Sequence, residues 1–197
     1  ETLRAWVSEE LEPPMSDYPM AAKGTRKTRR ESIAALAVVA GLTPPGADVM
    51  TTMHPLDLGA EAEKGIAVMP PVIETAAYPD YVSAVDWDGN ETSGIRMPDV
   101  SVPVATHTGF NPRNPETGGI GQLLEYVGST VPFAKDAAGR EATGDSRLSI
   151  AERYVGRDDY LTKVRSAAED LVAKRHLLAA DIELCVELAA ERYDICA

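Results

Sequence analysis

The sequence predicts a mixed α+β chain: a short leading helix, a loop-rich middle of short strands, and a C-terminal helical hairpin. Three observations carry this. All 14 prolines fall between Pro13 and Pro132, which excludes long helices there and permits them in the last 65 residues. Between those limits, short β-like runs are separated by Pro and Gly turn signals. Beyond Pro132, apolar residues recur at three-and-four spacing. The chain therefore divides into residues 1–12, 13–132 and 133–197.

The first unit is a helix over Thr2–Leu11. Leu3, Trp6, Val7 and Glu10 follow helical spacing, and Pro13-Pro14 stops the element. Ten residues are too few to be stable alone, so this helix must lie on something else.

The middle opens with a basic cluster, Lys23, Arg26, Lys27, Arg29 and Arg30. Lys27-Thr28-Arg29-Arg30 followed by the apolar run Ile33–Leu42 resembles a twin-arginine export signal, but Glu31 interrupts the step from basic to apolar. The reading taken is a solvated basic loop leading into a buried element; an anionic partner surface is the minor alternative. Ten apolar residues fall short of the roughly 20 a membrane-spanning helix needs, so no span is expected.

Short strand-like runs follow at Gly65–Met69, Tyr81–Val85 and Val100–Val104. Val82–Val85, the Asp88-Gly89 turn and Gly94–Arg96 read as a β-hairpin. Prolines in or beside these runs point to edge strands or extended coil.

In the tail, Ser149 and Glu152 form a capping box opening a short helix that Gly156 closes. Asp158 can cap the next helix, whose Tyr160, Leu161, Val164, Ala168, Leu171 and Val172 share one face. Leu177-Leu178 turns the chain. A last helix from about Asp181 places Ile182, Cys185, Val186 and Ala189 on one side.

Charge narrows the function classes. The 197 residues hold 19 Lys+Arg against 31 Asp+Glu, a net charge of -12, which disfavours nucleic acid as a partner. Glu31–Pro132 carries much of the imbalance, 13 acidic against 3 basic residues. Cys185 and Cys196 are too few for a disulfide framework or a four-cysteine zinc site. No cofactor and no metal is expected.

Catalytic signatures are missing from the residues. No G-x-S-x-G elbow occurs; Gly128-Ser129-Thr130 lacks the second glycine. Gly41 to Gly46 has phosphate-loop glycine spacing, but Ala47-Asp48 follows instead of a lysine. Asp86–Glu91 echoes a calcium loop with its glycine two places early, so a hairpin turn is the better reading. Asn90-Glu91-Thr92 is a formal glycosylation sequon.

Of the three histidines, His176 follows Lys174-Arg175 at a helix C-terminus, where a cation suits the dipole, and His54 sits before Pro55 in a loop. His107 lies within Ala105–Arg113, which mixes hydroxyls, an imidazole, an amide and a guanidinium. Thr106, His107, Thr108, Asn111 and Arg113 are the candidate substrate-pocket contacts. A plain turn whose polar side chains satisfy the backbone is equally open.

With those strings laid out, the chain resembles the C-terminal part of a bacterial α/β-hydrolase-domain family. The resemblance runs through Trp6-Val7 with Glu12–Ser16, Val85–Glu91 into Gly94–Pro98, Val102–Thr106 through Thr108–Asn111, Val131–Ala134, and Gly144–Tyr154. It departs at His107 and Phe110, where the family usually has tyrosine and tryptophan, and at the basic stretch Arg26–Arg30.

The resemblance implies a protein that hydrolyses ester or acyl bonds, with the serine elbow and its partners upstream of Glu1. No catalytic residue is assigned within this chain. It would be a non-catalytic portion packing on a hydrolase core or partner subunit and lining the cleft for a small-molecule ester, with residues 1–12 as the core's terminal helix. The competing expectation is a stand-alone binding or structural subunit that docks through apolar helix faces. Compartment is left open.

Overall fold

The computed structural model describes residues 2–16, 18, 20, 23–36, 39–46, 49 and 52–197. The first helix, α1, spans Thr2–Glu9, two residues shorter than predicted because Glu10 turns to φ 56°. Small Ala5 is its buried residue, while Leu3, Trp6 and Val7 stand 68%, 52% and 73% exposed. The apolar stripe is thus turned outward, away from the described residues.

The basic cluster forms strand β1, Arg26–Thr28, which runs directly into helix α2, Arg29–Ala35. Glu31 gives this helix its start. Thr28 Oγ1 accepts from the Glu31 amide, and the Glu31 carboxylate accepts from the Thr28 amide at 2.8 Å. Those bonds hold its carboxyl below the usual range. The apolar run then goes inward, with Leu36, Val39 and Leu42 buried. Its Ala37 and Val38, and Ala47-Asp48 of the phosphate-loop comparison, lie outside the described residues.

Strands β2, Leu56–Asp57, and β3, Val72–Ile73, make an exposed antiparallel ribbon with Leu56 opposite Ile73. The run Gly65–Met69 is not a strand. A single 3-10 turn over Ala62–Lys64 closes at Gly65 in the left-handed region, leaving one ladder-like bond, Val68 N to Leu58 O at 2.9 Å.

Strand β4, Tyr81–Ser83, pairs with β1 in the register Arg26–Ser83, Lys27–Val82, Thr28–Tyr81, rather than with Gly94–Arg96 as predicted. The turn itself forms where expected. Its return arm carries one bridge, Val85 to Glu91, with Asp86 N bonding Asn90 O and Thr92 bonding Ala84 O through its amide and its hydroxyl, before the chain leaves. β1 takes the neighbouring edge instead. Arg26 lies over the Tyr81 ring at 4.5 Å, and Arg29 pairs with Asp80 at 2.9 Å.

The run Val100–Val104 is also corrected. Helix α3, Pro98–Ser101, occupies its start, because Pro98 at the first helical position is already set for helix. The strand begins later: β5, Ala105–Thr108, pairs antiparallel with β6, Ser129–Pro132.

The tail contains α4, Ala137–Thr143; α5, Ile150–Arg153; α6, Arg157–Ala173; and α7, Ile182–Cys196. The Ser149–Glu152 capping box is present, with the Glu152 carboxyl pulled down to about 2 by its Ser149 bonds. Gly156 caps the start of α6 rather than closing α5, and Asp158 sits in the first turn of α6 instead of at its cap. α6 and α7 pack as a hairpin, tied by Arg165–Glu183 at 2.6 Å and Arg157–Asp194 at 2.8 Å.

The main core joins this hairpin to the β5 entry: Val104, Phe133, Ile150, Tyr154, Tyr160, Val164 and Ala189. Fully burying an apolar side chain such as Val164 stabilises the fold by about 1.5–3 kcal/mol. Tyr160 meets Tyr154 edge-on at 5.0 Å and stacks on Tyr193 at 5.1 Å, and burial pushes its phenol up to about 12. A smaller core of Leu36, Val39, Leu42 and Phe110 covers the other side of the β5–β6 ribbon.

Candidate functional site

The β5–β6 ribbon is held by buried polar side chains. Asp86 begins the support, accepting bonds from the amides of Asp88 at 3.0 Å and Asn90 at 2.9 Å. The same carboxylate pairs with Arg96 at 2.8 Å, so the calcium-loop echo is a turn whose carboxylate is engaged. Gly89 sits there at φ +79°, and a Cβ would strike Leu36 Cδ2 at 2.6 Å and Thr106 Cγ2 at 3.0 Å. Only glycine lets the turn press this closely on β5.

The turn delivers Asn90, which is completely buried. Its Nδ2 donates to Ala105 O at 3.0 Å, and its Oδ1 accepts from His107 N at 2.8 Å. One carboxamide satisfies two backbone groups of β5.

Arg147, 1% exposed, is the second support. It makes a two-pronged ion pair with Asp145, 2.6 Å at the closest, and donates to Thr106 Oγ1 at 2.8 Å, Val131 O at 2.9 Å and Pro132 O at 3.3 Å. Burial alone would raise the Asp145 carboxyl; the bonds from Arg147 reverse that and hold it below the usual range. Arg153 forks onto Asp88, and Arg147 and Arg153 both face the Phe133 ring, at 5.0 and 4.2 Å.

Two clefts flank the ribbon. The smaller, of about 340 Å³, is lined by Ile33, Leu36, Val85, His107, Thr108 and Phe110 among others. The larger, of about 730 Å³, borders Leu42, Pro44, Asn111, Arg113, Gln122 and Thr130. The five candidate residues are therefore not brought to one place. His107 and Thr108 face the first cleft, Asn111 and Arg113 the second. Thr106 faces neither; it is fully buried, donating to Asp88 O and accepting from Arg147.

His107 bridges the two sides. Its Nδ1 lies 3.2 Å from Thr130 Oγ1, and its Nε2 is buried with no hydrogen-bond partner. Burial lowers the imidazole's pKa; Asp99 opposes this and Arg192 adds to it. Asp99 itself is held by both prongs of Arg192, at 2.6 and 3.1 Å. The neutral ring can exchange a hydrogen bond with a ligand, but among the described residues no serine hydroxyl lies within bonding distance of it. Thr108 Oγ1 donates to Phe110 O at 2.6 Å, and Asn111 Nδ2 reaches Gly128 O at 3.4 Å.

The remaining histidines have backbone roles: His54 Nδ1 meets the carbonyls of Glu74 and Ala76, and the His176 amide donates to Leu171 O. Among the described residues no group of three or more His, Cys, Asp or Glu is placed to hold a metal, and no helix is long and apolar enough to cross a membrane.

Sequence reasoning read Asp88 and Asn90 as turn residues only and gave no individual role to Asp145, Arg147 or Arg153. The signal was available. Two aspartates bracket a turn at 86–88, and two arginines lie in Ser146–Tyr154 beside buried apolar positions, a pattern that demands pairing.

A family model described as an alpha/beta hydrolase domain matches residues 1–187. No curated protein and no solved structure matches the chain.

Proposed function

Since the chain belongs to the alpha/beta hydrolase domain family, we propose that it is a non-catalytic portion of an ester or acyl hydrolase, packing on a core that supplies the nucleophile and lining its substrate cleft. The observation that carries this reading is uncovered surface. The chain exposes 12831 Å², whereas a compact monomer of 21.1 kDa exposes about 9,000 Å². Part of the difference is apolar. Leu3, Trp6 and Val7 of α1 and Val72 and Ile73 of β3 stand more than half exposed, as surfaces awaiting a cover do.

In this reading the Asn90 and Arg147 supports fix the β5–β6 ribbon as a rigid wall. His107 sits in a cleft that Ile33, Leu36, Val85 and Phe110 line with apolar side chains and Arg29 and Glu91 with charged ones, suited to a small ester whose oxygen shares a hydrogen bond with the imidazole. The serine alkoxide and the amides stabilising the oxyanion come from the core.

The test is to treat the chain with a fluorophosphonate probe and with p-nitrophenyl butyrate, locating any label by mass spectrometry. The expected result is no turnover and no labelled hydroxyl. Labelling of a hydroxyl in this chain, with turnover abolished when that residue is replaced by alanine, overturns the reading.

A further inference from the structure

We propose that the larger cleft binds the anionic oxyacid group, carboxylate or phosphate, of a small ligand through Arg113; this deepens the cleft-lining reading above and rests on it. Residues 31–132 are strongly acidic, and their three basic residues are Lys64, Arg96 and Arg113. Lys64 pairs with Glu61 at 2.7 Å and Arg96 with Asp86 at 2.8 Å. Arg113 makes no ion pair among the described residues, and its Nε is buried without a hydrogen-bond partner. A desolvated guanidinium donor is costly unless something accepts from it.

The surroundings supply room and no competitor. The cleft measures about 730 Å³, and no acidic side chain lines it among the described residues; Glu116 and Glu125 of the same loop do not line it. Its other polar side chains include Asn111, Asn114 and Gln122, whose amide N–H groups can donate to further ligand oxygens.

The arginine is also held in place. Its amide donates to Gln122 O at 2.9 Å, and the Pro112–Leu123 bridge closes the hairpin beside it. Its stem lies across Gly119, at φ +67°, where a Cβ would come within 3.2 Å of Arg113 Cδ and Nε. The glycine leaves a groove that the guanidinium stem fills. A planar fork fixed in an acid-free cleft matches the two oxygens of a carboxylate or phosphate.

The experiment follows the Arg113 Nε–H resonance of the whole chain by NMR during titration with succinate, with inorganic phosphate, and with uncharged dimethyl succinate. We expect a saturable shift with succinate or phosphate and none with the diester; the anion that saturates identifies the group. Affinities of wild type and variants are then compared by isothermal titration calorimetry with that anion, where Arg113→Gln, with an unchanged circular dichroism spectrum, weakens binding about tenfold or more. Gly119→Val, which crowds the stem, weakens it as well. Failure of both anions to saturate the resonance, or equal affinity in Arg113→Gln, overturns the proposal. If Arg113→Gln fails to fold, the wild-type titration decides alone. A fluorophosphonate-labelled hydroxyl sinks the non-catalytic reading and leaves the anion result standing, so the two failures are separable.

Discussion

The β5–β6 ribbon and the β2–β3 ribbon are both two-stranded and antiparallel, yet they are held in opposite ways. β5–β6 is anchored: Ala105 and Thr106 of β5 are fully buried, Asn90 and Arg147 bond the ribbon's backbone, and apolar cores pack against it, although Thr130 and Pro132 of β6 stay exposed. β2–β3 has all four residues exposed, with no buried side chain on either strand. Strand pairing alone is not what makes a region rigid. An isolated two-stranded hairpin is marginal in water, and the difference comes from what lies against it.

Arg147→Ala should have the largest effect. It leaves the Asp145 carboxylate buried without its partner and removes a donor from Thr106, Val131 and Pro132 together. A loss of about 3–5 kcal/mol is expected, read from the urea midpoint. A loss under about 1 kcal/mol would mean that the anchored ribbon does not depend on its guanidinium.

Next comes acidification through the histidine range. The imidazole of His107 has a folded pKa below the ordinary 6.5, chiefly from burial, with Asp99 and Arg192 facing it. Its contribution is present above about pH 6.5 and is lost as pH falls through the lower folded value, because the unfolded chain takes the proton first. Wild type should therefore lose more stability than His107→Gln between about pH 7.5 and 5.5, measured by thermal unfolding. An equal loss in both proteins removes the assignment. Asp145 acts in a separate, more acidic window: its depressed carboxyl contributes above the ordinary 3.8 and fails below it.

The smallest effect belongs to the open ribbon. Ile73→Lys replaces a side chain that is 67% exposed, so the change should stay within about 0.5 kcal/mol by the same urea assay. A larger loss would show that β3 is held as firmly as β5.

Legibility in the sequence followed the same divide. The tail was readable because its signals are local: the Ser149–Glu152 capping box and the Tyr160, Val164, Ala168, Leu171 stripe each lie within a few turns of helix. The middle was not, since its pairings join distant segments. Nothing local to Tyr81–Ser83 says that its partner is Arg26–Thr28, and nothing local to Arg147 says that it will reach Thr106. The candidate run Ala105–Arg113 drew attention through its chemistry. Strand and loop geometry then divided it between two clefts and the interior, which residue type could not foretell.

The Asn90 carboxamide carries one more consequence. By occupying Ala105 O and His107 N, the outward-facing acceptor and donor of β5, it seals that side of the ribbon against an incoming strand. The far margin at β6 is blunted in its turn by Pro132, which has no N–H to offer a new strand and whose carbonyl accepts from Arg147. One carboxamide from a turn and one proline thus keep a two-stranded ribbon from becoming a template for a third strand.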